Sequence, residues 1–451
     1  MSGLADLGAH GRPHPWWTPV RLLLAIAAVT FTVAVVAKAP CAAGAWWDSP
    51  RDYANACHTD LANDYALAGL AEQTPPWEVD PGQHVVRDEQ TVPDAALSYA
   101  AAVVAQGLTG GPDVDERATR PVVDLAKDDT VRHEAVVYVG VSAVIQLFAF
   151  LVGILLLARS SPRPYTLSVL AGAPVIVFTA LLGWDMILFF LACAAWWAWR
   201  REHAMLAGGL VGVAGAMAFW PLLILPAVAL AAIRLGGAEQ VGRALGGAVV
   251  AWVCCAIPLV VVAGGALFDP VAWYANLVTG TGSVWDVLAD VGVLPESSTM
   301  NVTIVAGMVV VLMAVSVFAL KAFRAPDGPT IAFLLVLGWF WVTKSYEPQY
   351  ALALLPLAAL AWPRWRDLLV WQSAEILFVL GTWWHLGGYT LDSGDADRIY
   401  PALIVIRIAA QAWLAARIVL DHRFPEPYVP SHTGRARSGD VPRGAIDSTA
   451  S

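Results

Sequence analysis

Apolar runs of about twenty residues, the length needed to cross a hydrocarbon core, recur along this chain, and nothing constrains its fold more. They fall at 20–38, 134–158, 165–183, 184–200, 203–219, 221–234, 241–265, 300–320, 328–343, 349–362, 367–387 and 400–420. In lipid every backbone polar group needs an internal partner, so helices or a closed barrel are the available solutions. No alternating barrel pattern is present. Only 14% of residues are charged, against about 25% in soluble domains. The expected fold is an all-α polytopic membrane protein with about twelve transmembrane helices.

Basic residues stay on the cytoplasmic side of short loops, which orients the chain. Arg12 and Arg21 precede the first run, and Arg159/Arg163, Arg200/Arg201, Arg234/Arg243, Lys321/Arg324 and Arg364/Arg366 mark every second connection after it. Both termini are therefore expected in the cytoplasm. The segments 39–133 and 266–299 and the turns 343–348 and 388–399 are then extracytoplasmic. The chain divides into a cytoplasmic segment 1–19, a membrane domain 20–420 with a large first external loop, and a polar tail 421–451 expected to be disordered. Small residues at Ala37 and Ala39 resemble a signal-peptide cleavage site, but Pro40 and the length of the run favour an uncleaved anchor. A net charge of −9 argues against nucleic acid as a partner.

The first external loop, Cys41 to Tyr65, holds two of the five cysteines. An oxidising exterior makes a Cys41–Cys57 disulfide the expectation. Trp46, Trp47 and Trp77 suit the membrane interface, and the alanine-rich stretch from Asp94 to Gly107 is too short to span and reads as a helix on the outer face. Asp185 follows Gly183-Trp184 at an outward helix start, where it either caps the helix or contacts a ligand. Pro221 after Trp220, Pro348 after Glu347 and Pro401 after Tyr400 mark further outward starts. Such N-termini attract phosphate, and Lys344 nearby supplies a point charge for an anion. Glu375 and Arg407 lie within apolar runs and must face the interior, pairing with one another or with a polar ligand. His385, beside Trp383 and Trp384, is placed either to pack or to line the same cleft. No Walker loop, dinucleotide fingerprint, HExxH or CxxC pair is present, and no ligand cluster demands a metal.

Several segments together resemble the polytopic GT-C glycosyltransferases, in particular glycosyltransferase family 87 and its polyprenyl-phosphate-mannose-dependent actinobacterial members. The similarity covers roughly 35–420. Cys57-His58-Thr59-Asp60 resembles the Cys-x-x-Asp signature after the first span, and Gly183-Trp184-Asp185 resembles an Asn-Trp-Asp helix start. Lys344 with Glu347-Pro348-Gln349-Tyr350 is similar to a basic residue followed by Ser-Pro-Gln-Tyr, and the stretch from Pro363 through Glu375 to Tyr389 is similar as well. Two departures stand out: Ala218-Phe219-Trp220-Pro221 where relatives have Lys-x-Tyr-Pro, and Thr91-Val92-Pro93 where they have Glu-Tyr-Pro.

The resemblance implies a membrane glycosyltransferase that moves a sugar, mannose by the family's pattern, from a polyprenyl phosphate to a lipid or lipoglycan acceptor with inversion. Asp60 takes the position of general base, with Asp64 as rival. Lys344, Tyr346, Gln349 and Arg407 are the expected donor-phosphate contacts, and Trp184, Asp185, Trp220, Glu375 and His385 with Asp64 the expected substrate contacts. No cofactor is required, since the lipid-linked sugar is a substrate. Two alternatives stay open: a transporter or flippase of a lipid-linked substrate, and a non-catalytic partner subunit of the same fold, which the alanine at 218 favours.

Overall fold

The computed structural model describes residues 16–47, 49–78, 90–390 and 398–424. The N-terminal segment through residue 15 and the tail beyond 424 lie outside the described residues, so the expectation of a disordered tail is not addressed. All regular structure among the described residues is helical. Five helices are long and apolar enough to cross a membrane: Pro19–Ala42, Asp129–Ser160, Ala238–Asn276, Ser297–Lys321 and Ile399–Arg423.

Each apolar run read from the sequence is helical, with one interruption. The run at 165–183 breaks into Pro164–Leu167, Ser168–Ala171 and Pro174–Thr179, because Pro174 cannot donate to the preceding turn and Gly172 loosens the chain before it. The last helix continues to Arg423, three residues beyond the expected end. The first helix runs unbroken past Ala37 and Ala39 with Pro40 inside it.

Packing sorts these helices into a buried centre and an apolar periphery. Gly328–Val342 and Ala351–Ala361 are buried on nearly every face, and Trp196, Phe189, Leu354 and Trp371 fill the space around them. On Ala238–Ala263 and Ser297–Lys321 many valines point outward instead. Val249, Val261, Val302 and Val305 are each more than 60% exposed, a surface compatible with lipid and not with water. Without a hydrophobic drive between helices in lipid, close approach through small residues supplies the attraction. Ala204–Met217 and Ala238–Ala263 meet in this way: a methyl group added at Gly208 would lie 1.8 Å from the Ala244 carbonyl oxygen, and one at Gly212 2.3 Å from that of Ala248.

The loop that begins at Cys41 is not a loose surface strand but a small domain with its own core. Cys41, Trp46, Leu61, Tyr65, Ala102, Leu125 and Tyr138 pack together at one end of Asp129–Ser160. Trp46 is thus buried, 4% exposed, rather than placed at a membrane interface, because its indole N–H donates to the Lys38 carbonyl at 3.1 Å. The alanine-rich stretch forms the helix Val92–Thr109, which lies along Asp129–Ser160. A polar knot ties the layer: Arg117 makes a bidentate pair with Glu134 at 2.7 and 2.9 Å, and Glu134 also accepts from Tyr65 Oη at 2.8 Å. Gln106 donates to Tyr65 Oη and to the Leu70 carbonyl. Buried charges persist only when paired and hydrogen-bonded in this manner.

The close helix crossing generates a paired expectation. Gly212→Leu should lower the melting temperature by the equivalent of at least about 1–3 kcal/mol of overpacking, whereas Gly246→Leu, where an added Cβ meets nothing within 4 Å, should not. Equal melting of the two variants in detergent would contradict the packing described.

Candidate functional site

Segments far apart in sequence meet around a cavity of about 640 Å³ at the end of the bundle that carries the Cys41 loop. Among the described residues five carboxylates line it: Asp60, Asp64, Asp94, Asp185 and Glu347. Aromatic rings make up much of the remaining wall, among them Tyr53, Trp184, Trp220, Tyr274, Trp339 and Trp383. Phe219, Val271 and Leu386 also line it and are 49%, 69% and 45% exposed. The cavity therefore joins a polar end to an apolar rim at the protein surface.

Asp60 opens the helix Asp60–Leu67, with Thr59 in extended conformation ahead of it. Four ties hold this corner. The expected Cys41–Cys57 disulfide is formed, with Cα atoms 6.0 Å apart. Lys38, near the end of the first helix, donates to the His58 carbonyl at 2.6 Å. Thr59 Oγ1 donates to the Leu181 carbonyl, and Trp47 Nε1 to that of Ala62 at 2.9 Å. Leu181 itself has φ of +63°, a strained conformation for a branched residue that persists where surrounding structure over-determines it. The strain turns the chain from Thr179 toward Trp184 and Asp185.

His58 Nε2 lies 3.0 Å from Asp60 Oδ1. Its imidazole belongs to a three-ring cluster with Tyr53 at 4.7 Å and Trp383 at 5.0 Å. Burial, followed by the charges of Asp60 and Asp52, raises the Tyr53 phenol above its ordinary range.

The second wall comes from the turn Gly183–Asp185. Gln146 Nε2 donates to the Gly183 carbonyl at 2.9 Å, and Trp184 Nε1 donates to Ser98 Oγ at 2.9 Å. Asp185 begins the helix Asp185–Arg200 and lines the cavity, so it stands at a helix start and at the site together. Asp94, one turn from Ser98, is driven up to about 7 chiefly by burial, with the charges of Glu347 and Asp64 adding to the rise and the neighbouring Thr91 side chain opposing it. Crowding carboxylates in one desolvated space disfavours ionising all of them.

The expected donor-phosphate contacts divide sharply. Gln349 lines the cavity and donates to Glu347. Lys344, Tyr346 and Arg407 do not line it. The Lys344 ammonium is wholly buried and donates to the carbonyls of Tyr274, Ala275 and Leu277 at 2.9, 3.1 and 2.7 Å. All three of its protons are used, so it closes the C-terminal end of Asp269–Asn276 instead of meeting an anion. The Arg407 guanidinium stacks on Tyr346 and Phe378 at 3.6 and 4.4 Å and donates to the Gly282 carbonyl at 2.9 Å. Tyr346 Oη donates to Glu375 at 3.1 Å.

Among the expected substrate contacts, Asp64, Trp184, Asp185 and Trp220 line the cavity, whereas Glu375 and His385 do not. Glu375 is held within the bundle by Trp371 Nε1 and Gln411 Nε2, both at 2.7 Å, which satisfies a carboxylate in an apolar setting. His385 stacks on Tyr400 with ring centroids 4.2 Å apart. Among the described residues no lysine or arginine lines the cavity. Two indole N–H groups at its wall, of Trp220 and Trp383, have no acceptor within the described residues, and buried orphan donors of this kind suit ligand oxygens.

Sequence reasoning passed over Lys38, His58, Asp94 and Glu347. A signal existed for Lys38, a lone cation at the end of an apolar run, and for His58, which sits inside the Cys57–Asp60 quartet. Asp94 and Glu347 each border a proline at a helix start, where capping explains an acid equally well. The sole grouping of metal-donor side chains among the described residues, Cys41, Asp52 and Cys57, has its two sulfurs joined in the disulfide.

Two measurements follow from this geometry. Lys344→Met is expected to speed amide exchange across 269–291 by at least about tenfold, since a charged donor shared by three carbonyls is worth ~1.5–3 kcal/mol; unchanged exchange there would contradict an anchoring role. Asp94→Asn should leave stability unchanged below pH ~4, where wild-type Asp94 is neutral folded or unfolded, and exceed wild type increasingly as pH rises toward about 7, because ionisation then favours the unfolded chain. A stability difference independent of pH would count against the crowding of acids. Set against known proteins, the chain matches no family model and no curated protein.

Proposed function

We propose that this protein is a membrane glycosyltransferase of the GT-C type, resembling glycosyltransferase family 87, with its reaction site on the extracytoplasmic face. It moves a sugar, mannose by the resemblance, from a polyprenyl phosphate to a glycolipid or lipoglycan acceptor. One observation carries the reading: a single cavity joins a carboxylate-rich, aromatic-walled end to an exposed apolar rim. Ring faces and carboxylates are the partners that sugar C–H faces and hydroxyls seek, and the rim at Phe219 and Val271 suits an isoprenoid chain arriving from the bilayer.

In this reaction Asp60 takes the proton of the acceptor hydroxyl as that oxygen attacks the anomeric carbon. The bond from carbon to phosphate oxygen breaks on the opposite face, its electron pair leaves with the polyprenyl phosphate, and the configuration inverts. Asp185, Trp184 and Trp220 are suited to hold the sugar, and Asp64 stands beside the base on the same helix. The phosphate role assigned to Lys344 and Arg407 does not pass to another described cation. Among the positive ends that border the cavity are the helix starts at Asp60, Asp185 and Pro348.

The lack of a lining lysine or arginine among the described residues, together with Ala218, favours as second reading a non-catalytic relative that binds a lipid-linked sugar for a partner. Purified protein in lipid nanodiscs, given radiolabelled polyprenyl-phosphate mannose and envelope lipid, separates the two. Transfer is expected, and Asp60→Asn should reduce it at least about 100-fold, with Asp64→Asn much milder. Binding of the donor without transfer would favour the second reading, and full activity in Asp60→Asn would remove Asp60 as base.

A further inference from the structure

We infer that Asp60 works as one half of a histidine–aspartate dyad, in which His58 donates from Nε2 to Asp60 Oδ1 and stays neutral throughout. The inference rests on the functional reading above for its chemistry, but the dyad itself rests on geometry alone. The two groups are 3.0 Å apart. His58 is 2% exposed, and its second ring nitrogen, Nδ1, is buried with no hydrogen-bond partner within the described residues.

That asymmetry assigns the proton. An ionised carboxylate can only accept, so the contact requires hydrogen on Nε2. A second proton on Nδ1 would place a buried N–H where no acceptor lies among the described residues, which is costly. The imidazole is therefore held as the neutral Nε2–H form. Its orientation is set by the Tyr53 and Trp383 rings, and its backbone by Lys38, which grips the His58 carbonyl at 2.6 Å.

The consequence for the reaction is directional. The hydrogen bond from His58 to Oδ1 fixes how the Asp60 carboxylate is presented to the acceptor hydroxyl. After transfer that proton resides on Asp60 and returns to solvent, while His58 keeps the one it began with. His58 is thus a positioning residue, which orients the carboxylate and, as a donor to it, disfavours a protonated resting Asp60.

Two experiments test this. Nitrogen-15 spectra of histidine-labelled protein in nanodiscs, with the His58 signal assigned by its loss in His58→Gln, should show a protonated Nε2 and a bare Nδ1. A proton on Nδ1 with Nε2 bare would make Asp60 the donor, and a doubly protonated ring would make it an ion pair; either result overturns the proposal. Because no substrate is present, this readout stands even where glycosyl transfer fails in wild type. In the transfer assay, His58→Phe keeps a ring beside Tyr53 and Trp383 but has no donor, whereas His58→Gln keeps an N–H and loses the ring. The expected result is a kcat lowered about 100-fold in His58→Phe with KM within about twofold, the size of a misplaced reacting group, and largely retained kcat in His58→Gln. Equal loss in both variants, or loss in neither, would overturn the role.

Discussion

A cation buried in an apolar bundle must find oxygen atoms, and here three of them find the backbone carbonyls of the segments that border the cavity. Lys38 on the first helix grips the His58 carbonyl. Lys344, beyond the end of Gly328–Val342, grips three carbonyls from Tyr274 to Leu277. Arg407 on the last helix grips Gly282. Each bond joins one element to a segment distant in sequence, and the penalty for leaving a buried charge unsatisfied makes each hard to break. The shape of the cavity depends on these grips, because they fix the segments that line it.

The same arrangement explains why the cavity is acidic. With Lys38, Lys344 and Arg407 turned toward carbonyls, the described lining keeps the carboxylates of Asp60, Asp64, Asp94, Asp185 and Glu347. Close acids in a desolvated space cannot all ionise, and Asp94 is pushed upward accordingly. Groups whose environments drive them apart are then able to serve different purposes in one site. Asp60 differs from Asp94 in having a histidine ring against one oxygen and a phenol and indole around that ring. The difference lies in partners and not in residue type.

The network behind the cavity does not line it but supports one of its walls. Glu375, Tyr346, Gln411 and Trp371 satisfy one another inside the bundle, with Arg407 stacked over Tyr346. The segment 280–282 pairs with 344–346 through Gly280 N to the Lys344 carbonyl and Tyr346 N to the Thr281 carbonyl, both 2.9 Å. Glycine is needed at both ends of that pairing: a Cβ at Gly280 would lie 2.6 Å from Ser345 Cβ, and Gly282 has φ of +76°. The loop that brings Tyr274 and Thr281 to the cavity is thereby fixed from two sides.

Length and periodicity of apolar residues determined the helices, since a segment in lipid has few other ways to satisfy its backbone. They also marked Glu375 and Arg407 as interior, and two cysteines in one short loop were enough to anticipate their bridge. What the chain order left open was direction. Lys344 as a letter in a sequence is a cation near a helix start, and only the folded position of Tyr274, Ala275 and Leu277 turns its three protons onto carbonyls. Trp46 likewise reads as an interface residue until the first loop closes over it. Asp60 and His58 are two residues apart in any conformation, but whether they touch is decided by the disulfide, the Lys38 bond and the rings of Tyr53 and Trp383. Contacts between distant segments set where a polar side chain spends its hydrogen bonds, and that choice is what separates a ligand-binding group from a structural one.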